Sequence, residues 1–150
     1  MARFTHHCAL RWSDMDAYGH VNNAKFLTLY EEARAALLFG HAGRAGVGTM
    51  ERGVVIARHE IDYLRAVDYD APLNGDNATH QVRIDLWIDE IRAASFTMAY
   101  ELFDNTVLAS RARSVVVPYD LTGGRPRRLT DSEQNFLLSW RDGSVDVSDR

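Results

Sequence analysis

A single cysteine, Cys8, stands in the 150 residues. That excludes an intrachain disulfide framework and any cysteine-rich zinc site, and it fits a chain kept in a reducing compartment, so the cytoplasm is the expected location. Long apolar runs are missing too. No window reaches the roughly 18 apolar residues that span a bilayer, and Met1 to His7 lacks the apolar stretch of a signal peptide. Neither secretion nor membrane insertion is expected. Positive charge is also scarce: 17 basic residues stand against 21 acidic ones, for a net charge of −4. The one basic cluster, Arg125, Arg127 and Arg128, lies beside Gly123, Gly124 and Pro126 and reads as a solvated turn. A general nucleic-acid binder needs a clustered basic surface, so that class is set aside, while a small phosphorylated ligand is not. His6, His7, His41, His59 and His80 show no i, i+4 metal spacing, and no metal or bound cofactor is expected.

What is present is an ordinary core. With 46% hydrophobic and 25% charged residues, the chain is long enough for one domain, which buries roughly 68–70% of its unfolded surface without help from crosslinks. Phe4 to Trp12 reads as a first strand and Ser13 to Asn23 as a loop. From Ala24 the period changes. Phe26, Tyr30, Ala33 and Leu37 fall at i, i+4, i+7 and i+11, and Leu27, Leu29 and Leu38 widen the stripe, which predicts a well-buried helix. Asn22 or Asn23 can cap its start, and Gly40 is placed to end it in the left-handed conformation.

Gly53 to Leu64 reads as a long strand. In the next, Val82, Ile84, Leu86 and Ile88 alternate with Arg83, Asp85, Trp87 and Asp89, so one face is core. Phe96 to Phe103 and Thr106 to Val117 form a hairpin around Asp104-Asn105. Thr130-x-x-Glu133 has the spacing of a capping box before a short helix, and residues 142–150 are expected to fray after a single domain over residues 1–141. One strand, one long helix and four uninterrupted strands predict an α+β fold: an antiparallel sheet wrapped on one helix.

The polar chemistry gathers in the loop. Asp14, Asp16, Tyr18, His20, Asn22 and Asn23 share a short strand-to-helix connection, where functional groups are often carried. Asx-turns at the two carboxylates and capping by His20 and the asparagines would account for the same residues. A second reading uses the unpaired N–H groups and positive end of the helix. They would polarise a carbonyl and stabilise its oxyanion while Asp16 attacks or deprotonates water, with Gly19 admitting a close ligand. Acyl transfer fits these parts.

The string Asp14-Met15-Asp16-Ala17-Tyr18-Gly19-His20-Val21-Asn22-Asn23, followed by Phe26 and by Tyr30-Glu31-Glu32-Ala33-Arg34, resembles the hotdog-fold acyl-CoA thioesterases of the 4-hydroxybenzoyl-CoA thioesterase type. Val54 to Tyr63, Arg92 to Phe96 and Thr122 to Arg127 extend the resemblance over about residues 5 to 138. It implies a hotdog fold, a five-stranded antiparallel sheet wrapped around one long central helix. It also implies Asp16 as the catalytic carboxylate and the backbone N–H groups around Gly19 to Val21 as carbonyl activators. His20 fills the position that plant acyl-carrier-protein thioesterases also fill with His. Two departures stand out: Tyr63-Leu64-Arg65-Ala66 lacks the Pro of a frequent Tyr-x-x-Pro turn, and Tyr18 replaces the Asn of the plant enzymes.

Further roles are assigned on chemistry. His20 can orient Asp16, pass a proton to the leaving thiolate, or cap the helix. Tyr18, Asn23 and Glu31 are expected to line the substrate pocket, although a pair with Arg34 accounts for Glu31 as simply. Arg92, Ser95 and Arg125 are expected at the CoA phosphates, Arg92 as the resemblance implies, from the basic strand segment that binds the nucleotide in such enzymes, and Arg58 there or beside a buried carboxylate. The family implies two protomers paired edge to edge, each site built from both chains, with a dimer of dimers also compatible. The expected substrate is an acyl-CoA. A non-catalytic acyl-binding module and an acyl-carrier-protein thioesterase are the alternatives. An enoyl-CoA hydratase ranks last, because its Asp-x-Asn-Pro-x-His loop lacks its Asn and Pro here.

Overall fold

The computed structural model describes residues 3–47, 50, 53–69 and 80–142. Strand β1 (Phe4–Ala9) leads through a 3-10 turn (Trp12–Asp14) to helix α1 (Asn23–Ala35), which runs on through a π-helical turn (Ala36–His41) into α2 (Ala42–Arg44). Then come β2 (Val54–Tyr63), β3 (Gln81–Ile91), β4 (Phe96–Asp104), β5 (Val107–Asp120), the two-residue β6 (Arg125–Pro126) and α3 (Asp131–Ser139). The strands lie in the order β1-β3-β4-β5-β2, all neighbours antiparallel, with β6 added alongside β5. This is the hotdog arrangement, a curled sheet around a central helix. Among the described residues no helix is long and apolar enough to cross a membrane.

The helical stripe does what its period implies. Phe26, Leu29, Tyr30, Ala33 and Leu37 are buried, and they share one core with Val82, Ile84, Leu86 and Ile88 of β3 and Phe96, Met98, Tyr100 and Leu102 of β4. Each large apolar side chain among them contributes about 1.5–3 kcal/mol by leaving water. Trp87 departs from the alternation: it faces away from the helix yet is buried, because the Arg3 guanidinium stacks over its ring at 3.8 Å.

Three boundaries differ from the sequence reading, each for a local reason. β1 stops at Ala9 because Asp14 turns the chain, its carboxylate accepting the Arg11 N–H at 2.8 Å. Gly40 does not end the helix. It sits inside the π-helical turn, since Leu37, Leu38 and Ala42 keep a buried face through that point, and burial outweighs the glycine's backbone entropy. The stop is Gly46, at φ +83°, where Val47 N–H donates to Ala42 O and Gly46 N–H to Gly43 O in a Schellman closure. Finally, Asp142 does not fray: it is buried and accepts from Arg3 Nε at 2.7 Å, while the rest of the expected tail, 143–150, lies outside the described residues.

The capping box forms as its spacing implies. Thr130 N–H donates to Glu133 Oε1 at 2.8 Å and Glu133 N–H to Thr130 Oγ1 at 3.2 Å. Arg127 is no solvated turn residue. It grips the buried Glu133 carboxylate through both terminal nitrogens, at 2.8 and 3.0 Å.

The lone thiol is shielded by the fold. Cys8 is buried with Sγ 3.7 Å from Leu29 O, and burial, helped by the Glu32 carboxylate, pushes its pKa up to about 12. The native protein should therefore resist iodoacetamide at pH 8 and take up one equivalent per chain only once unfolded. Rapid native alkylation, read by mass spectrometry, would contradict this packing.

Candidate active site

The loop between β1 and α1 closes on itself as a tight hairpin. Met15 bridges Val21, Asp16 N–H donates to His20 O at 2.7 Å, and Gly19 takes φ +78° at the turn. A methyl group at Gly19 would meet nothing within 4 Å, so its backbone conformation, not close approach, is what calls for glycine. Asp14 is buried and structural: besides holding Arg11, its carbonyl accepts the Asn22 N–H at 2.8 Å.

Asp16 is fixed differently. Its Oδ1 accepts two backbone N–H groups, from Tyr18 at 2.8 Å and His20 at 3.1 Å, so the Asx-turn reading and the functional one describe the same geometry. Its Oδ2 makes no hydrogen bond within the described residues. The residue stands where two clefts meet. One, of 440 Å³, runs between the start of α1 and the end of β2, past His20, Val21, Asn23 and Phe26 on one side and Tyr63 to Ala66 on the other. The second, of 570 Å³, is lined by Trp12, Ser13, Met15, Gly19 and Tyr69.

The backbone N–H groups from Gly19 to Val21, expected to face a carbonyl, are all engaged within the loop and its neighbour. Gly19 N–H donates to Asp16 O, His20 N–H to Asp16 Oδ1 and Val21 N–H to Val67 O, so all three are consumed in holding the loop. The free group lies further along. Asn22 caps α1 by accepting the Ala24 N–H at 3.0 Å, and its carbonyl takes the Lys25 N–H. That leaves the Asn23 N–H, at the positive end of the helix, with no partner among the described residues.

Two neighbours escaped the sequence reading. Tyr63 donates its hydroxyl to Asn23 O at 2.8 Å and meets Phe26 edge to face, with its pKa raised by burial, so it stays a neutral donor on the cleft wall. The segment after β2 closes the loop from behind: Val67 O accepts Val21 N–H at 2.8 Å, and Asp68 bridges His20 in antiparallel fashion. The signal available for Tyr63 was its place at the end of an alternating strand. For Asp68 there was none, because only long-range pairing sets it opposite His20.

The other expected substrate residues line neither cleft at Asp16 within one chain. Tyr18 is 83% exposed at the loop tip and lines neither cleft. Glu31, whose side chain is 74% exposed, lines neither and sits 3.7 Å from Arg34. Arg34 is buried and donates to Tyr100 Oη at 3.1 Å. Arg58 pairs with Glu60 and lines a separate recess of 150 Å³ with Glu90, Thr97, Arg113 and Val115. Arg92 and Ser95 close the β3–β4 turn, Arg92 N–H donating to Ser95 O at 2.8 Å, and Arg125 sits on β6 opposite Asp120. Of the expected set, the structure brings together Asp16, Gly19, His20, Val21 and Asn23.

A family model for the thioesterase-like superfamily matches residues 10–138. The chain belongs to that superfamily. Similar solved structures include a predicted thioesterase from Bacillus stearothermophilus, 26% identical, with a TM-score of 0.79 over 94% of this chain and 98% of that one. A thioesterase from Thermus thermophilus, complexed with coenzyme A and Zn, is 28% identical, with a TM-score of 0.71 over 91% of this chain and 92% of that one. No curated protein matches. For a chain of this superfamily, the hairpin of Asp16 and the start of α1 form the natural candidate for a reaction centre.

Proposed function

We propose that this protein hydrolyses acyl-CoA thioesters, as a hotdog thioesterase of the 4-hydroxybenzoyl-CoA type. The observation that carries the reading is Asp16: a carboxylate clamped through Oδ1 by two backbone N–H groups, with Oδ2 open at the junction of two clefts. Such a group is preorganised to attack the thioester carbonyl carbon or to take a proton from water that does so. The oxyanion that forms finds the Asn23 N–H and the helix dipole behind it. Collapse of the tetrahedral intermediate breaks the C–S bond, and the sulfur takes a proton as CoA leaves, with His20 the titratable side chain beside Asp16 on the cleft wall. The coenzyme A held by the Thermus thermophilus relative supports CoA as the carrier.

In this reading the site is completed by a second copy. Strand β2 is a sheet edge beside the Asp16 cleft, and pairing two such edges gives one continuous sheet. Arg58, Arg92, Ser95 and Arg125 then meet the phosphates of a CoA whose thioester lies at the other protomer's Asp16. The buried single thiol fits a cytoplasmic setting.

Product analysis tests the reaction class. Incubation with acyl-CoAs should yield free thiol and free carboxylate in equal amounts, whereas a hydrated or transferred acyl group with the thioester retained would overturn hydrolysis. Release only from acyl carrier protein would replace the carrier and keep the chemistry.

A further inference from the structure

We propose that Asp68 is a positioning residue for His20: it orients the imidazole so that its other nitrogen delivers a proton to the departing sulfur. The inference rests on the hydrolytic reading of Asp16. It starts from a pairing no local signal reveals. The segment that follows β2 lies antiparallel to the Asp16 hairpin, with Val21 N–H on Val67 O at 2.8 Å and Tyr69 N–H near Gly19 O at 3.5 Å. Val67 is fully buried and anchors that segment. Asp68 is thereby set directly opposite His20, and its Oδ1 lies 3.3 Å from His20 Nε2.

The consequence is a chain of fixed groups. His20 holds Asp16 through its backbone N–H, and Asp68 faces His20 through its side chain. The Asp68 carboxylate stands 3.3 Å from Nε2 without yet making a formed hydrogen bond; once that contact closes, Nε2–H faces a carboxylate, the tautomer and ring orientation are set, and Nδ1 is the nitrogen left to exchange a proton with substrate. Contacts of this kind are often long before substrate binds and tighten afterwards. Both side chains are partly open, 43% and 75% exposed, so the pair adds little to folding. Variants at Asp68 should therefore fold.

The step is balanced. As the tetrahedral intermediate collapses, the C–S electron pair moves to sulfur and the proton on Nδ1 of the imidazolium moves with it, giving the CoA thiol and neutral imidazole. The imidazole regains a proton from that released by the attacking water. An alkyl thiolate such as CoA needs this proton. An aryl thiolate, a far weaker base, leaves without it.

That difference makes the test. Turnover is measured on two thioesters of one acid, its CoA ester and its S-phenyl ester, for the wild type, Asp68→Ala, Asp68→Glu, His20→Ala and the double variant. On the CoA ester, Asp68→Ala should lower kcat about tenfold and His20→Ala about a hundredfold, with KM within about twofold. Asp68→Glu should recover most of the loss, and the double variant should be no slower than His20→Ala alone. On the S-phenyl ester both penalties should shrink to within about twofold. Equal losses on the two esters, or additive losses in the double variant, would overturn the role of Asp68 while leaving hydrolysis at Asp16 standing. A folded wild type that cleaves neither ester would overturn the hydrolytic reading and this inference with it.

Discussion

Asp16→Asn should lose at least about a thousandfold in kcat while keeping the melting temperature of the parent. The asparagine carbonyl oxygen can still accept from Tyr18 and His20, at 2.8 and 3.1 Å in the parent, so the hairpin and its glycine turn survive. What disappears is the charge at the second oxygen, without which the side chain can neither attack nor take a proton. Because the substitution leaves the clefts their shape, KM should change little and the deficit should fall on kcat. Thiol release and thermal unfolding, measured on the same preparation, check both halves. A variant within about tenfold of the parent would remove Asp16 from the chemistry.

The largest effect on stability is expected far from that site, at Glu133. Its carboxylate is buried and held by Arg127 through two nitrogens and by the Thr130 N–H. Burial alone would raise its pKa, but the guanidinium and the cap bonds together outweigh that and hold it below the ordinary carboxylate value. Removing one member of such a pair leaves a poorly matched charge, so Glu133→Ala should cost about 3 kcal/mol, which at this size is a fall of about 10 °C in Tm. Thr130→Ala, which removes only the cap oxygen, should cost about 1 kcal/mol. The sign of the pH dependence follows. A carboxylate with a lowered folded pKa stabilises above its unfolded pKa, and that contribution fades as pH falls through the folded value. Glu133→Ala should thus lose stability at neutral pH and show a shallower acid-induced decline. Melting curves from pH 7 down to pH 2 would show it, and parallel curves for parent and variant would contradict it.

Much of the fold is legible in the sequence where periodicity is strong. The period-two run from Val82 to Ile88, the helical stripe from Phe26 to Leu37 and the Thr130–Glu133 capping box all form as their patterns imply. At Gly40 a low helix propensity competes with the burial of Leu37, Leu38 and Ala42, a contest that tertiary packing wins. In the candidate site, the dense polar loop lies where two clefts meet. Its hydrogen-bond economy was not legible: which N–H groups are spent on the hairpin and which stays free depends on the approach of Val67 and Asp68 from a distant part of the chain. In the sequence Tyr63 stands out only for the proline missing three residues on, whereas in the structure it is a cleft wall bonded to Asn23. Arg127 looked like surface charge because its partner is reached through a turn that no local pattern specifies.

The central claim is that the Asp16 hairpin and the start of α1 cleave a thioester. The most direct test is steady-state thiol release by the purified protein from short, medium, long and aromatic acyl-CoAs, with its oligomeric state measured in the same buffer. The account predicts turnover of at least one of them, with the preferred acyl group defining the substrate class. Silence across the whole panel, and with acyl carrier protein thioesters, from folded protein that still binds CoA would contradict it and leave an acyl-binding module in its place.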